Sequence, residues 1–336
     1  MSPDALEAAV VPVLDRHAGR HTALVAAVGA GGATCVLGRG RDERAGVPDG
    51  ATVLEIGSVT KVFTATLLML MADAGEVALD EPVQDLLPDG VRMPVRGRPI
   101  TLLDLVTHRS GLPRLPARWL LRARGHGDNP YAVLGLDDVW HAAVTTRRRA
   151  PGGAPRYSNL GVGLLGHALA HRAGTPWETP VVQRVCLPLG LADTYPGERP
   201  EDTSRTAAGH DARGRAVPHW DFPVLAAAGA LRSTAVDLLA FLRAQDGDGG
   251  TALQRAVRAT HEPYASRLAL EQCAGWMALR RGPGTTERVL WHNGGTGGFR
   301  SFVACVPGRD VQVVVLAADA RDVDRLGQDL LAAVMS

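Results

Sequence analysis

Strand-prone segments lie at both ends of this chain and helical ones in its middle, and few folds accommodate that distribution. Near the N-terminus, residues 22–28 and 33–37 are short β-prone runs joined by Gly29-Ala30-Gly31-Gly32, a hairpin signal. Residues 52–56 read as a third strand. The pattern returns after Glu271, with strands over 276–279, 288–291, 299–306 and 311–317 and a closing helix from about 323 to 335. Between about Leu79 and Asp221, helical patterns alternate with breaks at Pro82, Pro88, Pro94, Pro113, Pro151 and Pro176. The expectation is an α/β (α+β) protein. Residues 1–78 and 224–336 form one sheet domain built from both termini, and residues 79–223 form a mostly helical insert. A chain of 336 residues has ample length for the core this requires.

Further signals mark individual elements. Ser2 precedes Pro3 at the start of an amphipathic run to His17, a capped first helix. Gly57 ends the third strand, and residues 59–74 form a strong helical run that stops at Gly75. Ser233-Thr234 caps a helix over 235–242.

Composition excludes several function classes. The formal net charge is +1, so no bulk field attracts nucleic acid or an anionic membrane. Arg147-Arg148-Arg149 reads as a solvated helix end. The longest apolar stretch, residues 65–72, is too short to span a bilayer. Acidic residues near the N-terminus and breaks at Pro12, Asp15 and Arg16 do not match a signal peptide. Cys35, Cys186, Cys273 and Cys305 are far apart and read as buried thiols of a reducing compartment. A cytoplasmic protein is expected. His167 and His171 share a helix face but lack a third ligand, so no metal or other cofactor is expected.

The chemistry is concentrated around one residue. Of the 36 Lys and Arg residues, a single one is lysine, Lys61, and Ser58 stands three positions before it. Arginine stays protonated at any useful pH, whereas a buried lysine can lose its proton and take one from a hydroxyl. With nine serines in 336 residues, chance gives this spacing only about 3% of the time. Ser58 falls at a strand-to-helix junction, one helical turn from Lys61 on the same face. The helix N-terminus favours a developing negative charge there. Two other segments stand out, Tyr157-Ser158-Asn159 and His292-Asn293-Gly294-Gly295. Taken singly, Tyr157 reads as packing, Asn159 as a helix cap and the glycines after Asn293 as a hairpin.

Together with Ser58-Val59-Thr60-Lys61, these segments resemble, in order and spacing, the penicillin-recognising serine hydrolases. The likeness is strongest to the branch holding class C β-lactamases and family VIII esterases. Residues 100–113 resemble the family's helix and loop between the first two motifs, residues 186–194 and 228–234 match its later landmarks, and the resemblance spans roughly residues 5 to 335. It implies an antiparallel sheet flanked by helices, with the site where sheet and insert meet. It implies that Ser58 is the nucleophile and that Lys61 either deprotonates it or holds the phenol of Tyr157 as an anion. Tyr157 would be partner base and leaving-group acid, and which group takes the first proton stays open. Asn159 would bond Lys61 and the substrate. The N–H groups of Ser58 and Gly295, beside Gly294, would form the oxyanion hole.

The departure is His292, where this family usually has a lysine that holds the substrate's carboxylate. Neutral histidine anchors a carboxylate less well at pH 7, unless Arg300 turns toward the site. That favours a small-molecule ester, amide or carrier-bound acyl substrate over penicillins and cell-wall peptides. The alternatives are an acyltransferase or cyclase using the same acyl-enzyme, a β-lactamase or D-Ala-D-Ala carboxypeptidase, and a silent binding protein. Oligomeric state is not legible.

Overall fold

A computed structural model describes residues 1–123, 129–282 and 287–335. Its main sheet is antiparallel and eight-stranded. The strands are β1 (Ala23–Ala30), β2 (Ala33–Gly40), β3 (Ala265–Arg267), β4 (Leu270–Gln272), β5 (Met277–Arg280), β6 (Arg288–Gly295), β7 (Arg300–Val306) and β8 (Val311–Ala317). Their order across the sheet is β2-β1-β8-β7-β6-β5-β4-β3. The N-terminal hairpin thus pairs with the last strand, with Val25 opposite Leu316.

Two apolar layers explain why the central strands are continuously hydrophobic. Every residue of β1 and β8 is buried. Leu24, Ala26, Val28, Val313 and Val315 face helix α1 (Pro3–Ala18) and the C-terminal helix (Asp324–Met335), which supply Leu6, Val10, Leu14, Leu326 and Leu330. Val25, Ala27, Val314 and Leu316 face the opposite way, into the larger core shared with the helical region. Ser2 caps α1 as expected, its side chain accepting from Ala5 N.

The hairpin is tighter than the glycine run suggested. The expected loop of residues 29–32 shrinks to Gly31 and Gly32, both at positive φ, because Gly29 and Ala30 pair with Thr34 and Ala33. The expected strand over 52–56 shortens to Leu54–Glu55, which pairs with Ser233 and Arg232 in a small separate sheet. Strands β3 and β4 and a short helix over Ala226–Gly229 are additions to the sequence reading. The arginine run is also corrected. The helix before it ends at Thr145, and Arg148 is buried with its guanidinium on the carbonyls of Pro94 and Arg149.

Helix α2 (Thr60–Asp73) runs through the larger core, buried on all sides from Thr60 to Met71. Helix α3 (Asn159–Ala173) is capped by Ser158, whose Oγ accepts from Gly161 N. Among the described residues no helix is long and apolar enough to cross a membrane.

Candidate active site

Ser58 sits in a single 3₁₀ turn, Gly57–Val59, that leads directly into α2. Gly57 has φ +48°, and a Cβ there would lie 2.6 Å from Gly295 N. Only glycine lets the turn approach β6 this closely. Gly294 is equally constrained, since a Cβ would come within 2.1 Å of Ile56 O and 2.9 Å of Ser58 N. Ser301 Oγ donates to Ile56 O (2.8 Å) and ties β7 to the same turn. The backbones of Ser58, Gly294 and Gly295 are thereby held side by side.

Lys61 lies one turn further along α2. Its Nζ is 2.9 Å from Ser58 Oγ and donates to Ala228 O (2.6 Å). Thr64 Oγ1 donates to Ala227 O, and Thr60 Oγ1 accepts from Leu231 N, so the 227–231 segment is stitched to α2. Lys61 is 1% exposed. Burial, reinforced by the charge of Arg114, holds its amine well below the usual lysine range.

Tyr157 faces this pair, with Lys61 Nζ 4.9 Å from the ring centroid. Burial pushes its phenol up to about 12, against the opposing effects of Ser58 and Arg114. His108 holds the segment on both sides. Its carbonyl accepts from Arg156 N (2.7 Å), its Nδ1 accepts from Ser158 N (3.3 Å), and its ring lies 4.6 Å from that of Tyr157. His108 has φ +59°, an uncommon conformation for a residue with a side chain. Burial, then Lys61 and His292, lower its imidazole to about 3.

Two residues have partners other than the expected ones. Asn159 Nδ2 donates to Tyr131 Oη (2.8 Å), leaving its buried Oδ1 without a partner; it makes no bond to Lys61. The reason is topological, because the loop before residue 136 brings Tyr131 onto the first turn of α3. His292 is 2% exposed and lines neither cavity beside Ser58. Its Nδ1 bonds Asn293 O (2.6 Å), and its ring lies 6.4 Å from that of Tyr157. Burial and the neighbouring Lys61 lower it to about 3, so it is a neutral part of the interior and offers no cation to a substrate.

A cleft of about 470 Å³ opens at Ser58, lined by Arg114, Tyr157, Trp220, Gly294, Gly295 and Arg300 on its way to Asp322 and Asp324. Beside it lies a recess of about 60 Å³ containing Asn159, Tyr131, Trp220 and Phe222. Arg300 does turn to the cleft, and its Nη1 donates to the carbonyls of Thr296 and Phe299. Trp220 lines these cavities, whereas Trp119 and Trp276 are buried and Trp291 stacks on Phe302. Trp220 is placed by Glu55, whose Oε1 accepts from Trp220 N and bonds His219 Nδ1. His167 Nε2 bonds Val224 O (2.9 Å).

Sequence reasoning missed Arg114, Tyr131, His108 and Glu55 as parts of the site. For His108 the available signal was its position in the 100–113 landmark, which Arg114 directly follows; Tyr131 and Glu55 carried none.

A family model described as "Beta-lactamase" matches residues 9–334. The chain belongs to the β-lactamase family. It is accordingly a serine hydrolase. A β-lactamase of Pseudomonas fluorescens is 30% identical over 299 residues, covering 79% of each chain. A D-alanyl-D-alanine-carboxypeptidase/endopeptidase of Escherichia coli K12 is 31% identical over 288 residues, covering 79% of this chain and 70% of that one. Among solved structures, a class C β-lactamase from Rhodobacter sphaeroides superposes with a TM-score of 0.82 at 26% identity, over 99% of this chain and 100% of the other. The antiparallel sheet flanked by helices is the fold of this β-lactamase family.

Proposed function

We propose that this β-lactamase-family hydrolase acylates Ser58 with a small-molecule ester or amide and releases the product to water. The observation that carries this is the 2.9 Å contact between Ser58 Oγ and a fully buried Lys61 amine. Held well below its usual range, the amine more readily takes the neutral form that accepts the hydroxyl proton, and Ser58 Oγ then attacks the carbonyl carbon. The phenol of Tyr157, raised to about 12, keeps its proton and donates it to the leaving group. The order is therefore Lys61 as first base and Tyr157 as acid. The N–H groups of Ser58 and Gly295 stabilise the oxyanion. Water then cleaves the acyl-enzyme by the reverse proton path.

The neutral, buried His292 supports esters and amides over substrates that need a carboxylate clamp at that position. The names of the relatives favour a second reading, hydrolysis of a β-lactam or of a D-alanyl-D-alanine peptide. The test is turnover of p-nitrophenyl butyrate and of a chromogenic cephalosporin by wild type and Ser58→Ala. Ester turnover that disappears in the variant, with slow cephalosporin loss, is the expected result. Cephalosporin turnover far exceeding that of the ester would favour the second reading.

A further inference from the structure

The charges in the cleft are held differently at its two ends. Arg114 has its backbone fixed, because its carbonyl accepts from Asn159 N (3.0 Å) and Leu160 N (3.2 Å) at the start of α3. Its guanidinium stands 5.6 Å from the Tyr157 ring centroid, and it has neither a hydrogen-bond nor an ion-pair partner among the described residues. The other basic side chains beside Ser58 are engaged. Lys61 is bonded to Ser58 and Ala228, and Arg300 to the carbonyls of Thr296 and Phe299. The far end of the cleft holds two carboxylates, Asp322 and Asp324, against the single charge of Arg300. There Asp324 also takes the amide hydrogen of Asn293 (2.6 Å). An anionic substrate group is thus disfavoured near the C-terminal helix and favoured at Arg114.

The two cavities indicate which part of the substrate meets which charge. The acyl group stays on Ser58 after the leaving group departs, so the leaving group needs the wider exit. The larger cleft runs on to Asp322 and Asp324, whereas the recess at Asn159, Tyr131 and Phe222 contains neither acid. Arg114 lines both cavities at the Ser58 end. Building on the acyl-Ser58 reading, we infer that Arg114 is the specificity determinant for the acyl group and that the preferred acyl group ends in a carboxylate. The cation that the family places at the position of His292 is here supplied by Arg114, which lines the cleft where His292 does not. This unpaired guanidinium, carried on a fixed backbone in a cleft that also holds Asp322 and Asp324, selects by charge which half of the substrate lies where.

Two esters of equal acyl length test this, mono-p-nitrophenyl glutarate and p-nitrophenyl valerate. Wild type should favour the glutarate in kcat/KM by about tenfold, the scale of one charge-assisted hydrogen bond at a partly exposed site. The ratio should approach one in Arg114→Gln, recover in part in Arg114→Lys, and shrink as salt is raised. Any effect of the substitution on Tyr157 touches both esters and cancels in the ratio. A wild-type ratio near one, or a preference that survives in Arg114→Gln, would overturn the inference. If both esters still turn over through Ser58 in that case, the acyl-Ser58 reading stands. If neither ester is hydrolysed, both fall.

Discussion

At the scale of single residues, catalysis rests on two buried groups that burial moves in opposite directions. It pulls the Lys61 amine down and pushes the Tyr157 phenol up to about 12. Burial thus biases the amine toward its neutral, proton-accepting form beside a phenol that keeps its proton. Lys61→Arg places a permanent cation there that cannot accept a proton, so kcat/KM should fall by roughly 10²–10⁴ with the fold intact. A loss of only a few-fold would remove Lys61 from the base role. The pH–rate profile should rise once, through the lowered pKa of Lys61, and then stay level through mildly alkaline pH because Tyr157 does not ionise there. A falling limb near pH 8 would mean that the phenol titrates far below 12. The Ser58–Lys61 pair was legible in sequence because its members are three residues apart, within one helical turn. The partner of Asn159 was not, since Tyr131 lies 28 positions upstream and only the fold brings it near. The burial of Arg148 escaped for the same reason, its acceptor being Pro94.

At the scale of elements, the site exists because the turn before α2 and the end of β6 almost touch. Gly294 is the narrowest point, where a Cβ would lie 2.1 Å from Ile56 O and 2.4 Å from Ser301 Oγ. Gly294→Ala should push β6 away from Ser58. A cost of about 1–3 kcal/mol, seen as a lower Tm, should accompany loss of ester turnover. A variant with wild-type Tm and turnover would show that the contact is not tight. Sequence located these elements well wherever periodicity and punctuation agreed, as at the hairpin, α2 and the last three strands. It missed β3 and β4, which are three residues each and too short to show a period. It could identify His108 as part of a landmark, but not that the residue bonds on both sides of Tyr157 across 50 positions.

For the molecule as a whole, the sheet gathers both ends of the chain and carries the last motif on β6, beside the helix that bears the first. The strand-rich ends and helical middle made this legible. What composition and spacing did not show is how the interior treats titratable groups. Burial lowers His108 and His292 to about 3 and His261 to about 4. All three are neutral in the folded protein, while the unfolded chain protonates them near 6.5. Between those values the unfolded state binds more protons, so stability is complete above pH 6.5 and is lost as pH falls. Each histidine contributes up to about 1.4 kcal/mol per pH unit in that window. Tm should therefore drop between pH 6.5 and 5, before most carboxylates titrate, and a flat Tm there would contradict the burial assigned to these rings. A covalent acyl group on Ser58 can be sought by acid-quenching the enzyme during p-nitrophenyl butyrate turnover and weighing the peptide that contains Ser58 and Lys61. The expected result is a butyryl mass increment localised to Ser58, present in wild type and absent from Lys61→Arg. Turnover with no increment, or an increment on another residue, would contradict it.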